Sequence, residues 1–85
     1  MDIEDFADRV RTRQDFEEFL ERLLSDLQDH GEEWGNTSLK EFLEGLRGFA
    51  RDMAGYYTNR GESLDLAQPT WRVVADLLLA ARVYE

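Results

Sequence analysis

The sequence predicts an all-α domain, a small four-helix bundle with one short N-terminal helix and three longer ones, the C-terminal helix being the most buried. Two observations lead there. Between Val73 and Tyr84 only Asp76 and Arg82 interrupt an apolar run. A helix that is apolar nearly all round has to be enclosed by other elements or by a partner chain. The earlier segments carry the opposite pattern, a single apolar stripe on a strongly acidic body. Amphipathic helices around a buried one satisfy both.

Each element has its own signal. Ile3, Phe6, Ala7 and Val10 fall at i, i+3, i+4 and i+7, the spacing of one helix face. Asp2, Glu4 and Asp5 sit in that first turn, where the helix dipole favours anions. Thr12 is a natural N-cap, and Phe16, Phe19, Leu20, Leu23, Leu24 and Leu27 then keep helical spacing. This predicts a helix over 13–30, closed by a left-handed Gly31. Residues 32–37 read as a loop. Ser38 and Glu41 form a capping box, in which each side chain reaches the other's backbone amide. Leu39, Phe42, Leu43, Leu46, Phe49, Ala50 and Met53 carry the next helix from about 38 to 57. Gly45 and Gly48 lie inside it at a cost of up to about 1 kcal/mol each against Ala. Their expected use is the close approach of another helix. Residues 58–68 read as a loop. Pro69 is expected in the first turn of the last helix, where its missing N–H costs nothing. That helix is expected to end near Val83. The predicted core is Leu23, Leu27, Phe42, Leu46, Phe49, Val74, Leu77, Leu78 and Ala81.

With 85 residues, a single domain over 1–85 with a modest core is expected. There is no cysteine, so neither disulfides nor thiolate metal sites hold it. The acidic N-terminus is unlike a signal peptide. The apolar stretch of the last helix falls far short of the roughly twenty residues needed to span a bilayer. A cytoplasmic location without membrane contact is the expectation. Charge is unevenly placed: residues 1–45 hold 14 Asp/Glu and 5 Lys/Arg, whereas residues 46–85 hold 5 of each. The net charge of −9 thus lies in the first half. Such a surface repels nucleic acid and favours basic partners.

Catalytic signatures are missing. One histidine and no cysteine leave no triad, and the six glycines match no phosphate-binding spacing. His30, Glu32 and Glu33, with Asp26 and Asp29 nearby, make an oxygen-rich helix end. It lacks the alternation of a calcium loop and reads as a hydrated terminus. No metal, cofactor or catalytic residue is assigned. Asp76 is the most informative polar residue. It is expected at the solvent edge of the last helix beside Arg72, one turn earlier; the alternative is a buried ion pair or a ligand contact, with Arg47 or Arg51 as further partners. Trp34, Tyr56, Tyr57 and Trp71 lie at helix ends or in loops, where one side is apolar and the other wet. They either close the core or form a contact patch.

Taken together, Asp15-Phe16, Phe19-Leu20, Asp26-Leu27, Trp34-x-Asn36, Phe42-Leu43-Glu44, Gly55-Tyr56-Tyr57-x-Asn59, Pro69-x-Trp71, Ala80-Ala81 and Tyr84-Glu85 resemble a family of small acidic, mainly actinobacterial proteins catalogued only as a domain of unknown function. The resemblance runs from about residue 12 to 85. Gly35 departs from it, since the family tends to place a larger polar residue there. A shared fold is implied; an activity is not.

The expected function is that of a non-enzymatic, acidic protein-binding module whose partner is another, basic protein. One concrete form is an immunity or antitoxin-like protein. The alternative is a homodimer with the C-terminal helix at its interface, so the chain is a monomer or a homodimer. The candidate partner-contact residues are Trp34, Asn36, Tyr56, Tyr57, Asn59, Trp71 and Asp76.

Overall fold

Four helix starts along this chain are set by side chains that accept a hydrogen bond from the backbone three residues on. Asp2 accepts from the Asp5 amide at 2.8 Å, Thr12 from Asp15 at 3.0 Å, Ser38 from Glu41 at 3.1 Å and Thr70 from Val73 at 3.2 Å. At Thr12 and Ser38 the acid answers back to the cap amide, completing capping boxes. Each cap satisfies amides that the first helical turn leaves without a partner. In the computed structural model, which describes residues 1–85, the helices that follow are α1 (Ile3–Asp8), α2 (Arg13–His30), α3 (Leu39–Asn59) and α4 (Trp71–Ala81), with a 3₁₀ turn at Gly31–Glu33. There is no strand.

The C-terminal helix is the central post. α4 packs on α1, α2 and α3, and α1 packs on α2, whereas α2 and α3 bring no Cα atoms within 8 Å of each other. The core cluster unites Ala7 and Val10 with Phe19 and Leu23 of α2 and Ala75 of α4. On the other side, α3 buries Gly45, Gly48, Phe49 and Tyr57. Val73 and Ala81 of α4 are likewise buried.

Several expectations need correcting. Leu27, predicted as core, is exposed. Phe42, Leu46, Val74, Leu77 and Leu78 are only half-buried. For Leu27 and Phe42 the reason is the separation of α2 from α3, which leaves both on an open cleft. Ala7, Val10, Phe19, Val73 and Ala75 take up the core instead. Gly31 is not left-handed: its φ of −58° opens the 3₁₀ turn. Pro69 lies outside α4, because Thr70 is the cap and Trp71 the first helical residue. α3 runs two residues beyond Tyr57, and α4 stops at Ala81. The loop reading of residues 32–37 holds only after the 3₁₀ turn. Gly61, just past α3, is the one residue with positive φ, at 75°, a conformation that suits glycine.

Gly45 and Gly48 do serve a close approach, though of Asn36, the end of α4 and the Tyr84 tail rather than of a helix flank. A Cβ at Gly45 falls 2.7 Å from Asn36 Nδ2, 2.8 Å from the Ala81 carbonyl and 2.9 Å from the Tyr84 carbonyl. Asn36 itself clamps the end of α4. Its Nδ2 donates to the carbonyls of Ala81 at 3.0 Å and Tyr84 at 2.8 Å, and its amide donates to Arg82 at 2.8 Å. The Ala81 and Arg82 carbonyls are of the kind that a helix C-terminus leaves open, and that of Tyr84 belongs to the tail beyond. Tyr84 lies across Gly48 and meets Phe49 edge-on at 5.5 Å.

Gly45→Ala is therefore expected to destabilise by about 1–3 kcal/mol, the usual cost of overpacking a fixed contact. Gly55→Ala has open space around its Cβ and should stabilise by roughly 0.5–1 kcal/mol as a helix-interior exchange. Urea unfolding of both variants checks the pair; equal midpoints contradict this account of Gly45.

Candidate functional site

Asp76 within α4 and Arg82 at its C-cap are the two charged positions in the apolar run, and neighbouring elements hold both. Asp76 is 7% exposed, not at the solvent edge. The Tyr57 hydroxyl, 19 residues earlier on α3, donates to its carboxylate at 2.5 Å. Arg72 Nε stands 3.5 Å from the same oxygen and 3.8 Å from Asp8 of α1. Arg72 also makes a fork with Glu62 of the α3–α4 loop at 2.5 and 2.8 Å. This joins α1, α3, the loop and α4 around one buried carboxylate. Arg47 and Arg51 play no part; both are exposed, and Arg51 pairs with Asp52. Burial pushes the Asp76 carboxyl above the ordinary range, against the opposing pull of the Tyr57 hydrogen bond and the Arg72 charge. Burial, together with the bond to Asp76, drives the Tyr57 hydroxyl up.

Arg82 is the second position. It donates to Asp26 of α2 at 2.9 Å and to Glu4 of α1 at 3.2 Å. Asp26 also accepts from the Trp34 indole at 2.8 Å. Burial alone raises the Asp26 carboxyl; the Trp34 and Arg82 hydrogen bonds outweigh it and leave the group below the ordinary range. Asp26 is thereby committed to Arg82 and Trp34. His30, Glu32 and Glu33 do bring ligand atoms within 4.8 Å of one another, all exposed. His30 faces Glu33 at 3.7 Å, an ordinary surface pair.

The sequence-predicted contact residues do not form one patch. They divide between the two ends of α3. Trp34 and Asn36 lie at its start, where Trp34 stacks on Phe42 with ring centroids 6.2 Å apart. Tyr56, Tyr57 and Asn59 lie at its far end. Tyr57 is buried in the Asp76 network, Tyr56 packs edge-on against Phe49 at 5.2 Å, and Asn59 is exposed. Trp71 opens α4 and rests on Phe16 at 5.2 Å. Asn36, Tyr57 and Asp76 are occupied within the fold, and the polar atom of Trp34 is spent on Asp26.

Sequence reasoning missed a groove. Because α2 and α3 stand apart, Leu20, Leu23, Leu24 and Leu27 of α2 face Leu39 and Phe42 of α3 across an open cleft of about 330 Å³. Trp34, Asn36, Thr37 and Ser38 form its floor and end, and seven of the ten lining residues are apolar. Leu24 is 56% exposed and Leu39 74%. Leu43, 52% exposed, continues the apolar face one turn along α3. A wider depression on α2, of about 520 Å³, is lined mainly by charged and polar side chains such as Glu18, Arg22 and Asp29. The signal for the groove was present in the α2 stripe, which is wider than one facing helix covers. What the stripe does not reveal is which half stays open.

Residues 12–85 match the family of unknown function DUF7660, and the chain belongs to it. No curated protein and no solved structure matches the chain. The matched span is the one over which the resemblance was read. Two of its pieces meet in space: Asn36 of Trp34-x-Asn36 holds the Ala81 and Tyr84 carbonyls. No helix is long and apolar enough to cross a membrane.

Tyr57→Phe removes the donor to a buried carboxylate and is expected to cost about 1–3 kcal/mol. The two acids have opposite pH signatures. Asp76 has a native pKa above its unfolded value of about 3.9. Between those values the native state holds the extra proton, so Asp76 lowers stability as pH rises. Asp26 lies below its unfolded value; its contribution is full above that value and is lost as pH falls through the native one. In urea midpoints measured from about pH 3 to 7, Asp76→Asn should remove a decline above pH 4 and Asp26→Asn a loss at the acid end. Profiles parallel to the parent protein's contradict these assignments.

Proposed function

We propose that this chain is a non-enzymatic module that binds a basic protein through its acidic first half. The observation that carries this reading is the open leucine groove between α2 and α3. All of its exposed leucines fall within residues 1–45, the half that holds the whole net charge of −9. A contiguous apolar face rimmed by charge is the usual mark of an interaction site on a soluble domain. Acidic surroundings add selectivity and encounter rate toward a basic partner more than raw affinity. The polar residues of the fold point the same way. The buried acid and its arginine are consumed by structural pairing, which leaves no convergent set for acid–base or nucleophilic work. A protein of the immunity or antitoxin kind, covering a basic partner, is one concrete form of this reading.

The homodimer reading gains less support. It rests on a last helix too apolar for one chain to cover, yet α4 packs against three helices of its own chain. The surplus apolar surface lies on α2 and α3.

Immobilised protein in a native lysate should retain one or a few basic proteins at about 50 mM salt and release them at about 500 mM, where exposed charges are screened over a few ångströms. Retention of nothing, or of a partner indifferent to salt, removes the support for this function.

A further inference from the structure

We infer that the groove between α2 and α3 receives a basic amphipathic helix of two to three turns. This deepens the proposed function and rests on its reading that the partner is basic.

Shape comes first. The groove runs beside Leu20, Leu24 and Leu27 of α2, a stretch of roughly 10 Å at the helical rise per residue. Its far wall is the first turn of α3, with Leu39 and Phe42. Two helices that stand apart, with leucines on both facing sides, are a cradle for a third. A helix meets such a cradle with apolar anchors at i, i+3 or i+4, and i+7. An extended strand has no sheet edge here to pair with, since the chain contains no strand.

Charge selects the occupant. No charged residue lines the groove, so the incoming face is apolar. Beside it along the chain, exposed Glu17 stands one turn before Leu20 on α2 and exposed Glu32 stands two residues before Trp34 at the groove's end, whereas Glu21 and Glu33 line depressions on other faces. Lys40, on the α3 side, is tied to Glu44 at 3.7 Å. A helix whose flanks carry Lys or Arg meets acids on the α2 side and at the end. A second copy of this chain brings another −9 to the same place. The occupant is therefore a basic helix from a different protein.

The test uses the full chain and defined peptides. Trp34 lines the groove, and the only other tryptophan is Trp71. Trp71→Phe thus leaves the Trp34 indole as the sole fluorescence reporter. The probe is a synthetic Leu/Lys peptide of about 14 residues with leucines at helical anchor spacing. Its controls are a scramble of the same composition and a Leu/Glu peptide of the same spacing. Saturable change in Trp34 emission, with the peptide gaining helicity, is expected for the first alone, the controls binding at least about tenfold more weakly. Leu24→Glu and Leu39→Glu, both at exposed positions, should each weaken binding by about tenfold or more while leaving thermal unfolding nearly unchanged. Equal binding of periodic and scrambled Leu/Lys peptides, or of none, overturns the inference. So does a sedimenting dimer of the free protein that Leu24→Glu dissolves, since the groove then holds a second copy. Salt-sensitive lysate capture that survives Leu24→Glu sinks the helix-in-groove inference alone; absence of any such capture sinks the function it rests on.

Discussion

A carboxylate cannot remain in an apolar interior without partners, and Asp76 is such a carboxylate at the centre of this fold. Apolar burial is non-directional; by itself it leaves α4 free to rotate or slide among its neighbours. Asp76 removes that freedom. Only one setting of α4 brings the carboxylate under the Tyr57 hydroxyl of α3 while Arg72, on the same helix, reaches Glu62 of the loop and Asp8 of α1. Arg82 repeats the arrangement at the other end, against Asp26 and Glu4. The central helix is thus held by apolar packing along its length and by charge near each end. Such pairs add little net stability against an apolar replacement, but losing one partner strands the other. Their contribution is to orientation.

That orientation has a consequence for the surface. With α4 in the middle, α2 and α3 both pack against it and their backbones stay apart from each other. The tail after α4 then folds back over Gly45 and Gly48, where Asn36 takes its carbonyls. This closes the α3–α4 side tightly. The α2–α3 side has no such cover, and its leucines face a cleft. Closed and open faces therefore follow from one placement of one helix.

Much of this was legible in the sequence. Helix starts at Thr12 and Ser38 follow from local chemistry, since a capping side chain and its target amide are three residues apart. Helix faces follow from periodicity, and the central position of α4 from its lack of charge. The family resemblance over residues 12–85 was likewise confirmed. What was not legible depends on long separations along the chain. Asp76 meets a tyrosine 19 residues away, and Arg82 meets Asp26 at a separation of 56. Periodicity says which face of a helix is apolar, not which other helix covers it. Leu23 and Leu27 share a stripe, yet one is buried and the other exposed, because α4 reaches only part of α2. The expectation of Asp76 at the solvent edge fails for the same reason: a lone charge in an apolar run looks alike whether water or a distant partner satisfies it.

The open leucine face also accounts for the placement of charge. Exposed leucine surface on a nearly neutral domain promotes self-association. Here the acids are concentrated in the half of the chain that carries that surface, while residues 46–85 are balanced. Concentrated like charge makes two copies repel where their apolar faces approach, and it attracts a surface of opposite sign. The same carboxylates that discourage a homodimer therefore favour a basic ligand. A uniformly spread charge of −9 would aid solubility as well but would not discriminate at the groove. Solubility alone accounts for the amount of charge; on the proposed reading, its concentration in the half of the chain that carries the uncovered leucines serves selection between partners.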